Sequence, residues 1–412
     1  MKKFLKILAV IFGVIALLCV LCTVANKINA AAINKYIDTF SPVEDTARLE
    51  PSLDEYGNYY FTTDGDFKVL HLTDVHLCGG FLYSGNDKKA LNAVAAMVSA
   101  ERPDLVVISG DISFAVPWTG TLNNEYAHSF AKRLMERLGV YWTVTFGNHD
   151  SEGYNFHNRA AVAEMYSDES MRYCLFSSDD GGAFGECNHV INVRNGDGII
   201  TQSLIMMDTN AYKEDDPLGI SWNYDRIHDD QIEWYRGTVE KYSAYNESHY
   251  ASLAEDKKVE NAECLELKSL LFIHIPLMEV RDAYEEYVNN NRQNTANVTY
   301  LGGHDGESGK MVYCSEDEEE MFETILQLGS TKGLFYGHDH LNNFVLEYKG
   351  VTLSYGYSID YSAYSGISKL GYQRGCAVIE CKPDTSFTVT HENYYQEKYP
   401  ALYEKESVDM SK

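Results

Sequence analysis

The stretch FKVLHLTDVHL, residues 67–77, decides the fold predicted for this chain. Its first half is an apolar run of the kind that forms a buried strand. Two polar residues, Asp74 and His76, follow at the point where the strand should end. Because side chains alternate faces along a strand, a carboxylate and an imidazole two residues apart should point the same way. The pair predicts a polar site at the end of a core strand.

Strands and helices are predicted to alternate downstream of this stretch. Two more apolar strands are predicted within DLVVISGD (104–111) and YWTVTFGNHD (141–150). Two helices are predicted around them, within DKKALNAVAAMVSAE (87–101) and NEYAHSFAKRLMERLG (124–139). This alternation indicates βαβ units and a buried, largely parallel sheet. Further strands are predicted within SLLFIHIP (269–276) and GLFYGHDH (333–340), so the fold class is α/β.

Five of these strands end in residue types that bind metal ions. In an open α/β sheet, ligands bind at the carboxyl ends of the strands. The residues expected there are Asp74, His76, Asp111, Asn148, His149, Asp150, His274, His338 and His340. Each one alone is most often a turn residue, a helix cap or a core histidine. If all of them had only structural roles, five independent coincidences would be required at one sheet edge. We therefore predict a metal site.

The types of side chain indicate which metal ions the site would hold. Imidazole, carboxylate and one amide, without thiolate, suit Mn, Fe or Zn better than Ca, which prefers oxygen ligands alone. Seven ligands are too many for one tetrahedral ion but suit two ions that share a carboxylate. Two such ions lie roughly 3.5–4 Å apart and can hold both oxygens of an in-line displacement at phosphorus.

The ordered set D-x-H, GD, GNHD, H and GHxH resembles the calcineurin-like metallophosphoesterases, over roughly residues 67–382. The segments GNHDSEG, HIPLMEV and GHDHLNNF are similar to those of a branch often grouped with purple acid phosphatases. The resemblance implies a four-layer αββα sandwich with the site at the strand ends. It implies that one metal ion is held by Asp74, His76, Asp111 and His340. It implies that a second ion is held by Asp111, Asn148, His274 and His338, with Asp111 bridging.

The resemblance also implies roles for residues beside the ligands. His149 matches a family histidine that contacts the substrate and is proposed to protonate the leaving oxygen, and Asp150 would orient it. The chain departs from purple acid phosphatases at one metal-binding position. Purple acid phosphatases carry a metal-binding tyrosine three residues after the bridging aspartate, and this chain has Phe114 there. The expectation is therefore a colourless site with two metal ions.

The activity implied by the resemblance is hydrolysis of phosphate esters by a metal-bound hydroxide, with phosphomonoesters favoured. A phosphodiesterase acting on nucleotides or lipid headgroups is the nearer alternative, since the same metal pair serves both ester types. An inactive, surface-anchored binding protein is a further alternative. Such a protein would be expected to lack a ligand, and none of the seven is missing here.

Two residues near the site are candidates for binding the substrate. Arg159, in NFHNRAA after the third strand, could hold phosphate or be a solvated charge on a helix. Asn343, just after GHDH, could contact the substrate or cap a turn.

The N-terminus predicts a membrane anchor. The uncharged run ILAVIFGVIALLCVLCTV, residues 7–24, follows three lysines and is near the length that crosses a bilayer. We predict a signal anchor over residues 1–24 with the catalytic domain outside the cytosol. INAAA at 28–32 could be a cleavage site, so a secreted form is the alternative. The predicted domains are a linker over 25–65, the catalytic domain over 66–394 and a charged tail over 395–412.

The net charge limits the partners. With 34 Lys and Arg against 61 Asp and Glu, the formal charge is −27. This charge excludes a nucleic-acid groove, which needs clustered cations, and opposes docking on anionic lipid heads. The expected partner is a phosphate-ester substrate, and the oligomeric state stays open.

Overall fold

The computed structural model describes residues 2–44, 48–178, 181–364, 367, 374–402 and 405–408. The α-helices are α1 Lys2–Ile37, α2 Ser84–Glu101, α3 Glu125–Leu138, α4 Arg159–Tyr166, α5 Asp229–Ser252, α6 Glu255–Glu260, α7 Met278–Asn289 and α8 Met321–Leu328. The strands are β1 Ser52–Leu53, β2 Tyr59–Thr62, β3 Phe67–Leu72, β4 Leu105–Ser109, β5 Trp142–Thr145, β6 His189–Arg194, β7 Ile200–Met206, β8 Ser269–Phe272, β9 Val298–Gly302, β10 Thr331–Tyr336, β11 Val345–Tyr348, β12 Val351–Tyr355, β13 Gly375–Cys381 and β14 Phe387–Asn393.

The smaller sheet carries the predicted βαβ units. Its strand order is β14-β13-β3-β4-β5, and β3, β4 and β5 are parallel. Helices α2 and α3 connect these strands, so both helices begin at the carboxyl edge of the sheet. In α3, apolar side chains at Ala127, Phe130, Leu134 and Leu138 recur every three or four residues and are buried. The helix ends at Gly139, whose φ of 68° continues the chain in a conformation that favours glycine.

The larger sheet has the order β1-β2-β6-β7-β8-β10-β12-β11-β9. Its centre is parallel, since β8 pairs with β7 and β10, and β10 pairs with β12, in the same direction. The edges are antiparallel, with the hairpin of β11 and β12 on one side. The carboxyl ends of β8 and β10 therefore lie together, as the sequence predicts.

The two sheets pack face to face and are covered by helices on their outer faces. Apolar side chains from both sheets, including Val69, Val107, Phe272 and Phe335, form one buried cluster between them. A second cluster joins the smaller sheet to α1, α2, α3 and α4, and a third joins the larger sheet to α5, α7 and α8. The four-layer αββα sandwich predicted from the sequence is confirmed.

Helix α1 differs from the predicted anchor and linker. It continues without a break to Ile37, and its second half packs on α2 and α3, where Ile33 and Ile37 are fully buried. Residues 25–37 are therefore part of the folded domain, because their apolar stripe completes the outer core of the smaller sheet. The first half is exposed, and by length and composition it is a candidate membrane span or a signal sequence.

The C-terminal segment also differs from a free charged tail. Tyr399 is buried against the core, and Lys405 donates to the backbone carbonyls of Tyr394 and Gln396. Glu406 forms an ion pair with Arg374. The sequence shows only the charge of this segment and not the aromatic side chain that packs it against the core.

We predict that the second half of α1 stabilises the domain. Replacing Ile33 with Ala removes a fully buried side chain and should lower the free energy of unfolding by about 2–5 kcal/mol. Ile28→Ala, on the exposed face of the same helix, is the matched control and should change it little. Thermal unfolding of the detergent-solubilised chain measures both, and equal melting temperatures would contradict the packing described here.

Candidate metal centre

Strand ends from both sheets meet at one edge of the sandwich. Asp74, Asp111 and Asn148 follow β3, β4 and β5 of the smaller sheet, while His274 and His338 follow β8 and β10 of the larger sheet. The loops after the strands, and not the strands themselves, carry these side chains. The carboxyl edges of the two sheets thus supply the site jointly.

Six of the seven predicted ligands form two adjoining groups. In the first group, ligand atoms of Asp74, His76, Asp111 and His340 all lie within 4.8 Å of one another. In the second group, ligand atoms of Asp111, His274 and His338 do so. Asp111 belongs to both groups and is fully buried. This arrangement fits two cations that share one carboxylate.

Asn148 provides the test of whether the second group fits a metal ion. Its amide nitrogen Nδ2 donates to the Tyr212 hydroxyl at 2.9 Å, which orients the side chain. Its oxygen Oδ1 is buried and has no hydrogen-bond partner. A buried acceptor without a donor is costly in a folded protein, and a bound cation would satisfy it. The donor set therefore fits a divalent or transition metal ion.

Hydrogen bonds to the far ring nitrogen orient His274. Nδ1 of His274 lies 2.7 Å from the backbone oxygen of Ser109, so Nδ1 carries the proton that this contact requires. Nε2 is then the atom that faces the second ligand group, and it lies 3.1 Å from Asp111 Oδ2. A backbone carbonyl in this position fixes the tautomer of a ligating histidine.

Asp360 lies beside two further histidines and was not predicted from the sequence. Its carboxylate is fully buried and lies 3.5 Å from Nδ1 of His76 and 3.7 Å from Nδ1 of His340. The opposite nitrogens of both rings face the carboxylates of the first group. Asp360 follows β12 by five residues in the chain, where no metal-ligand motif marks it.

The backbone at four ligands adopts an unusual conformation. Asp74, His76, Asp111 and His338 have φ between 50° and 76°, in the left-handed region that costs other residues than glycine about 1–2 kcal/mol each. Since β3 ends at Leu72, the predicted alternation along a strand does not explain why Asp74 and His76 converge. Their shared direction comes from two left-handed residues in the loop, a form of strain that is common at functional sites.

Glycine before a ligand permits close approach of the loops. A Cβ on Gly147 would lie 2.1 Å from Asp111 Oδ1, and one on Gly337 would lie 2.5 Å from Asp74 Oδ2. No side chain fits in either space. These glycines allow the ligand carboxylates to lie against the neighbouring backbone.

The site attracts positive charge. Burial disfavours a charged imidazole, yet the Asp111 carboxylate raises the pKa of His274 and of His149 to about 9. Burial would raise the pKa of Asp111, but these two histidines hold it well below its usual range. Burial and the neighbouring His274 lower the pKa of His338 well below its ordinary value, which leaves a neutral ring suited to metal ligation.

Glu152, and not the predicted Asp150, contacts His149. The Nδ1 atom of His149 lies 2.6 Å from Glu152 Oε1. The Asp150 carboxylate turns away and accepts hydrogen bonds from the backbone N–H groups of Asp111, Ser113 and Gly147 at 2.8–3.0 Å. The predicted role of Asp150 is therefore corrected, because the short 3₁₀ turn at His149–Ser151 aims Asp150 at the loop of the bridging aspartate.

The guanidinium of Arg159 is occupied by contacts within the protein. It forms an ion pair with the buried Asp208 and donates to the backbone carbonyls of Phe146, Gly147 and Asn210. The predicted contact of Arg159 with substrate would require breaking these bonds. Its position instead supports the chain just after β5.

Asn343 is buried and bonded to a neighbouring loop. Its Oδ1 accepts from the backbone N–H of His304 at 2.7 Å, and its own N–H donates to the His304 carbonyl at 2.9 Å. Of the two roles that the sequence left open, these contacts match the structural one.

A cavity of about 380 Å³ opens beside the two groups. His149, His338 and His340 form its inner wall, and Trp222, Tyr224, Tyr313 and Tyr364 are among the other lining residues. Phe114 lies next to this wall, with its ring centroid 5.2 Å from that of His149. Phe114 is thus close to the site but offers no atom that could bind a metal ion.

The chain is similar in sequence to known members of one phosphoesterase family. Residues 67–342 match the family model described as calcineurin-like phosphoesterase. The chain is 24% identical to the Arabidopsis thaliana protein named probable inactive purple acid phosphatase 14, over 78% of this chain and 77% of that protein. It is 25% identical to probable inactive purple acid phosphatase 28 of the same plant, with the same coverage. A solved dimetal phosphatase from Danio rerio is similar with 12% identity and a TM-score of 0.45, over 81% of this chain and 98% of that one.

We predict that Asp360 strengthens metal binding at the first group. Asp360→Asn removes the charge that faces His76 and His340 and should weaken metal affinity by about 10–100-fold. Titration with a metal-sensitive chelator, followed by elemental analysis, measures the change. Asp256→Asn, an exposed carboxylate on α6, is the control and should leave affinity unchanged. Equal affinity in both variants would contradict the orienting role.

Proposed function

Because the chain belongs to the calcineurin-like phosphoesterase family, we propose that it hydrolyses phosphate esters with two metal ions, and that monoesters are preferred. The observation that carries this proposal is the pair of ligand groups joined at Asp111 beside an open cavity. A single buried carboxylate that belongs to two groups of ligand-type side chains suits a ligand shared by two cations.

The ligands are divided between the two ions as follows. Asp74, His76 and His340 would hold one ion, while Asn148, His274 and His338 would hold the other, and Asp111 would bridge them. When bound, the two ions supply Lewis acidity toward phosphate oxygens and lower the pKa of coordinated water. Mn, Fe and Zn suit this donor set, and Phe114 removes the tyrosine on which a purple ferric site depends.

His149 is the proposed proton donor. It lines the cavity next to the ligand groups, and Glu152 holds its Nδ1 atom. An imidazole held in this way presents Nε2 to the cavity and can protonate the oxygen that leaves phosphorus. Glu152 acts as a positioning residue, since it touches His149 and does not line the cavity.

The relatives named probable inactive favour a second candidate, a protein that binds phosphate esters without hydrolysing them. Loss of activity in such a site usually accompanies loss of a ligand or of the proton donor. This chain keeps all seven ligands and His149. We therefore favour the hydrolase. A phosphodiesterase acting on nucleotides or lipid headgroups is the remaining alternative.

We predict metal-dependent phosphatase activity. The purified chain should contain about two transition-metal ions per molecule and should hydrolyse p-nitrophenyl phosphate faster than bis(p-nitrophenyl) phosphate. EDTA followed by desalting should abolish hydrolysis, and added Mn²⁺ or Zn²⁺ should restore it. Faster cleavage of the diester would favour the phosphodiesterase. Bound metal without hydrolysis of either ester would favour the binding protein.

We also predict that His149 acts in turnover and not in metal binding. His149→Ala should lower kcat by about 10²–10⁴-fold with unchanged metal content. Glu152→Gln keeps a hydrogen-bond acceptor and should lower kcat less. His157→Ala removes a nearby histidine outside the cavity lining and is the control, with kcat near that of the unmodified chain. Loss of metal in His149→Ala would show that the residue supports a ligand instead.

A further inference from the structure

Helix α1 is joined to the loops that surround the metal centre. Nδ2 of Asn26 donates to the carbonyl of Gly120 at 2.8 Å, and its Oδ1 accepts from the N–H of Phe81 at 3.0 Å. Nδ2 of Asn29 lies 3.4 Å from the carbonyl of Gly79. These partners belong to the loops between β3 and α2 and between β4 and α3. Both loops lie at the carboxyl edge of the smaller sheet, where the metal centre is.

The other end of α1 lies at the opposite edge of the sheet. Arg137, in the last turn of α3, donates to the carbonyl of Phe40 at 2.7 Å. The N–H of Val43 donates to the carbonyl of Leu138, where α3 ends. Followed toward its N-terminus, α1 therefore runs from the far edge to the metal-centre edge and projects beyond it. The projecting part is the exposed apolar run 7–24.

The length of the projecting part matches a bilayer. At about 1.5 Å per residue, residues 7–24 extend about 27 Å, close to the roughly 30 Å hydrocarbon core of a membrane. Asn26 is two residues further on and Lys27 is exposed, so the membrane surface would lie within one helical turn of them. Because Asn26 is bonded to Phe81 and Gly120, both loops would lie at that surface.

Exposed apolar side chains lie on the loops at the metal-centre edge. Leu82 and Trp118 lie on the two loops bonded to α1, and both are exposed. Trp118 packs on Phe114 with ring centroids 6.3 Å apart, and Phe114 packs on His149. The exposed apolar residues on the loops that follow β3, β4, β5 and β7, here called the rim, are Leu82, Trp118, Phe156, Leu218, Ile220 and Trp222. Tryptophan is enriched where proteins meet the membrane–water interface.

Contacts link the remaining rim residues to the same edge. The N–H of Phe156 donates to the carbonyl of Leu122, which follows the loop of Trp118. A Cβ placed on Gly153, four residues after His149, would touch Leu218. Trp222 lines the cavity itself. The rim therefore reaches the cavity at Trp222, and it reaches the base of the projecting helix through the loops of Leu82 and Trp118.

We propose that α1 holds the rim against the bilayer, and that the substrate is a phosphomonoester of a membrane lipid, which rests on the proposed function above. In the reaction, a water oxygen bonds to phosphorus as the P–O bond to the lipid alcohol breaks. His149 gives its proton to the departing alkoxide and regains one from the water. The products are the lipid alcohol, which stays in the bilayer, and inorganic phosphate. The aromatic residues Trp222, Tyr224 and Tyr313 line the path for the lipid chain.

The rim suits a zwitterionic bilayer that carries a small fraction of the substrate. The net charge of −27 opposes adsorption to a strongly anionic surface. Apolar burial of the rim does not depend on lipid charge, since it scales with the area removed from water. Attachment through α1 also keeps the site at the surface without any electrostatic attraction.

The test uses the full chain, loaded with metal, in phosphatidylcholine vesicles that contain a small fraction of phosphatidic acid. We expect release of inorganic phosphate from the vesicle lipid. The double variant Leu82→Gln/Ile220→Gln should lower this rate by about ten-fold and leave hydrolysis of p-nitrophenyl phosphate unchanged. Val259→Gln replaces an exposed apolar residue on α6, at the opposite edge, and is the matched control for both substrates.

A second measurement is independent of activity. Brominated phosphatidylcholine should quench part of the tryptophan fluorescence, and Trp118→Phe should lose part of that quenching. Unquenched Trp118, or equal lipid hydrolysis in the rim variant and the unmodified chain, would overturn the inference. Hydrolysis of p-nitrophenyl phosphate without hydrolysis of vesicle lipid would also overturn it and leave the proposed function standing. Failure on both substrates with metal bound would reject the proposed function itself.

Discussion

The position of the Asp111 carboxylate is the constraint on which the rest of the site depends. Its Oδ1 accepts the backbone N–H of His149 at 2.8 Å, and its Oδ2 faces His76 and His274. Its own backbone N–H is held by Asp150. Each sheet contributes histidines to this one residue, so the two sheets must pack in a single relative position for both ligand groups to form. The apolar cluster between the sheets supplies that rigidity.

The same topology places the metal centre and the base of α1 at one edge. In a βαβ unit, each parallel strand ends where its following helix begins. Loops after β3 and β4 therefore carry the ligands and also meet any helix that packs along α2 and α3. Helix α1 packs there, with Ile33 and Ile37 buried and Asn26 bonded to those loops. The position of the ligand groups and that of the apolar helix are thus consequences of one chain path.

Much of the fold and the ligand set could be predicted from the sequence, because both depend on regular features. Apolar strands separated by helical segments predict the layers, and the polar residues at their ends predict Asp74, Asp111 and His274. The convergence of Asp74 and His76 was predicted for a wrong reason, since left-handed backbone and not strand alternation produces it.

Residues that act by holding another side chain in position could not be predicted from sequence patterns. Glu152 and Asp360 matter because of where a loop turns and not because of a repeat or a motif. The resemblance implied that Asp150 orients His149, but the direction of the backbone turns its carboxylate toward the loop of Asp111 instead. The packing of residues 25–37 on α2 and α3 was also not predicted. Their apolar stripe directly follows a run of membrane-spanning length, and the sequence does not show the surface that it contacts.

The histidines of the two ligand groups are held in place by different parts of the chain. Among the predicted ligands, Asp360 faces only histidines of the first group. Its loop is held by Arg374, which donates to the carbonyls of Ile359 and Asp360 and pairs with Glu406 near the C-terminus. The second group depends instead on the core carbonyl of Ser109. Removing Glu406 would therefore loosen the loop of Asp360 beside the first group and leave in place the carbonyl that holds His274 of the second group.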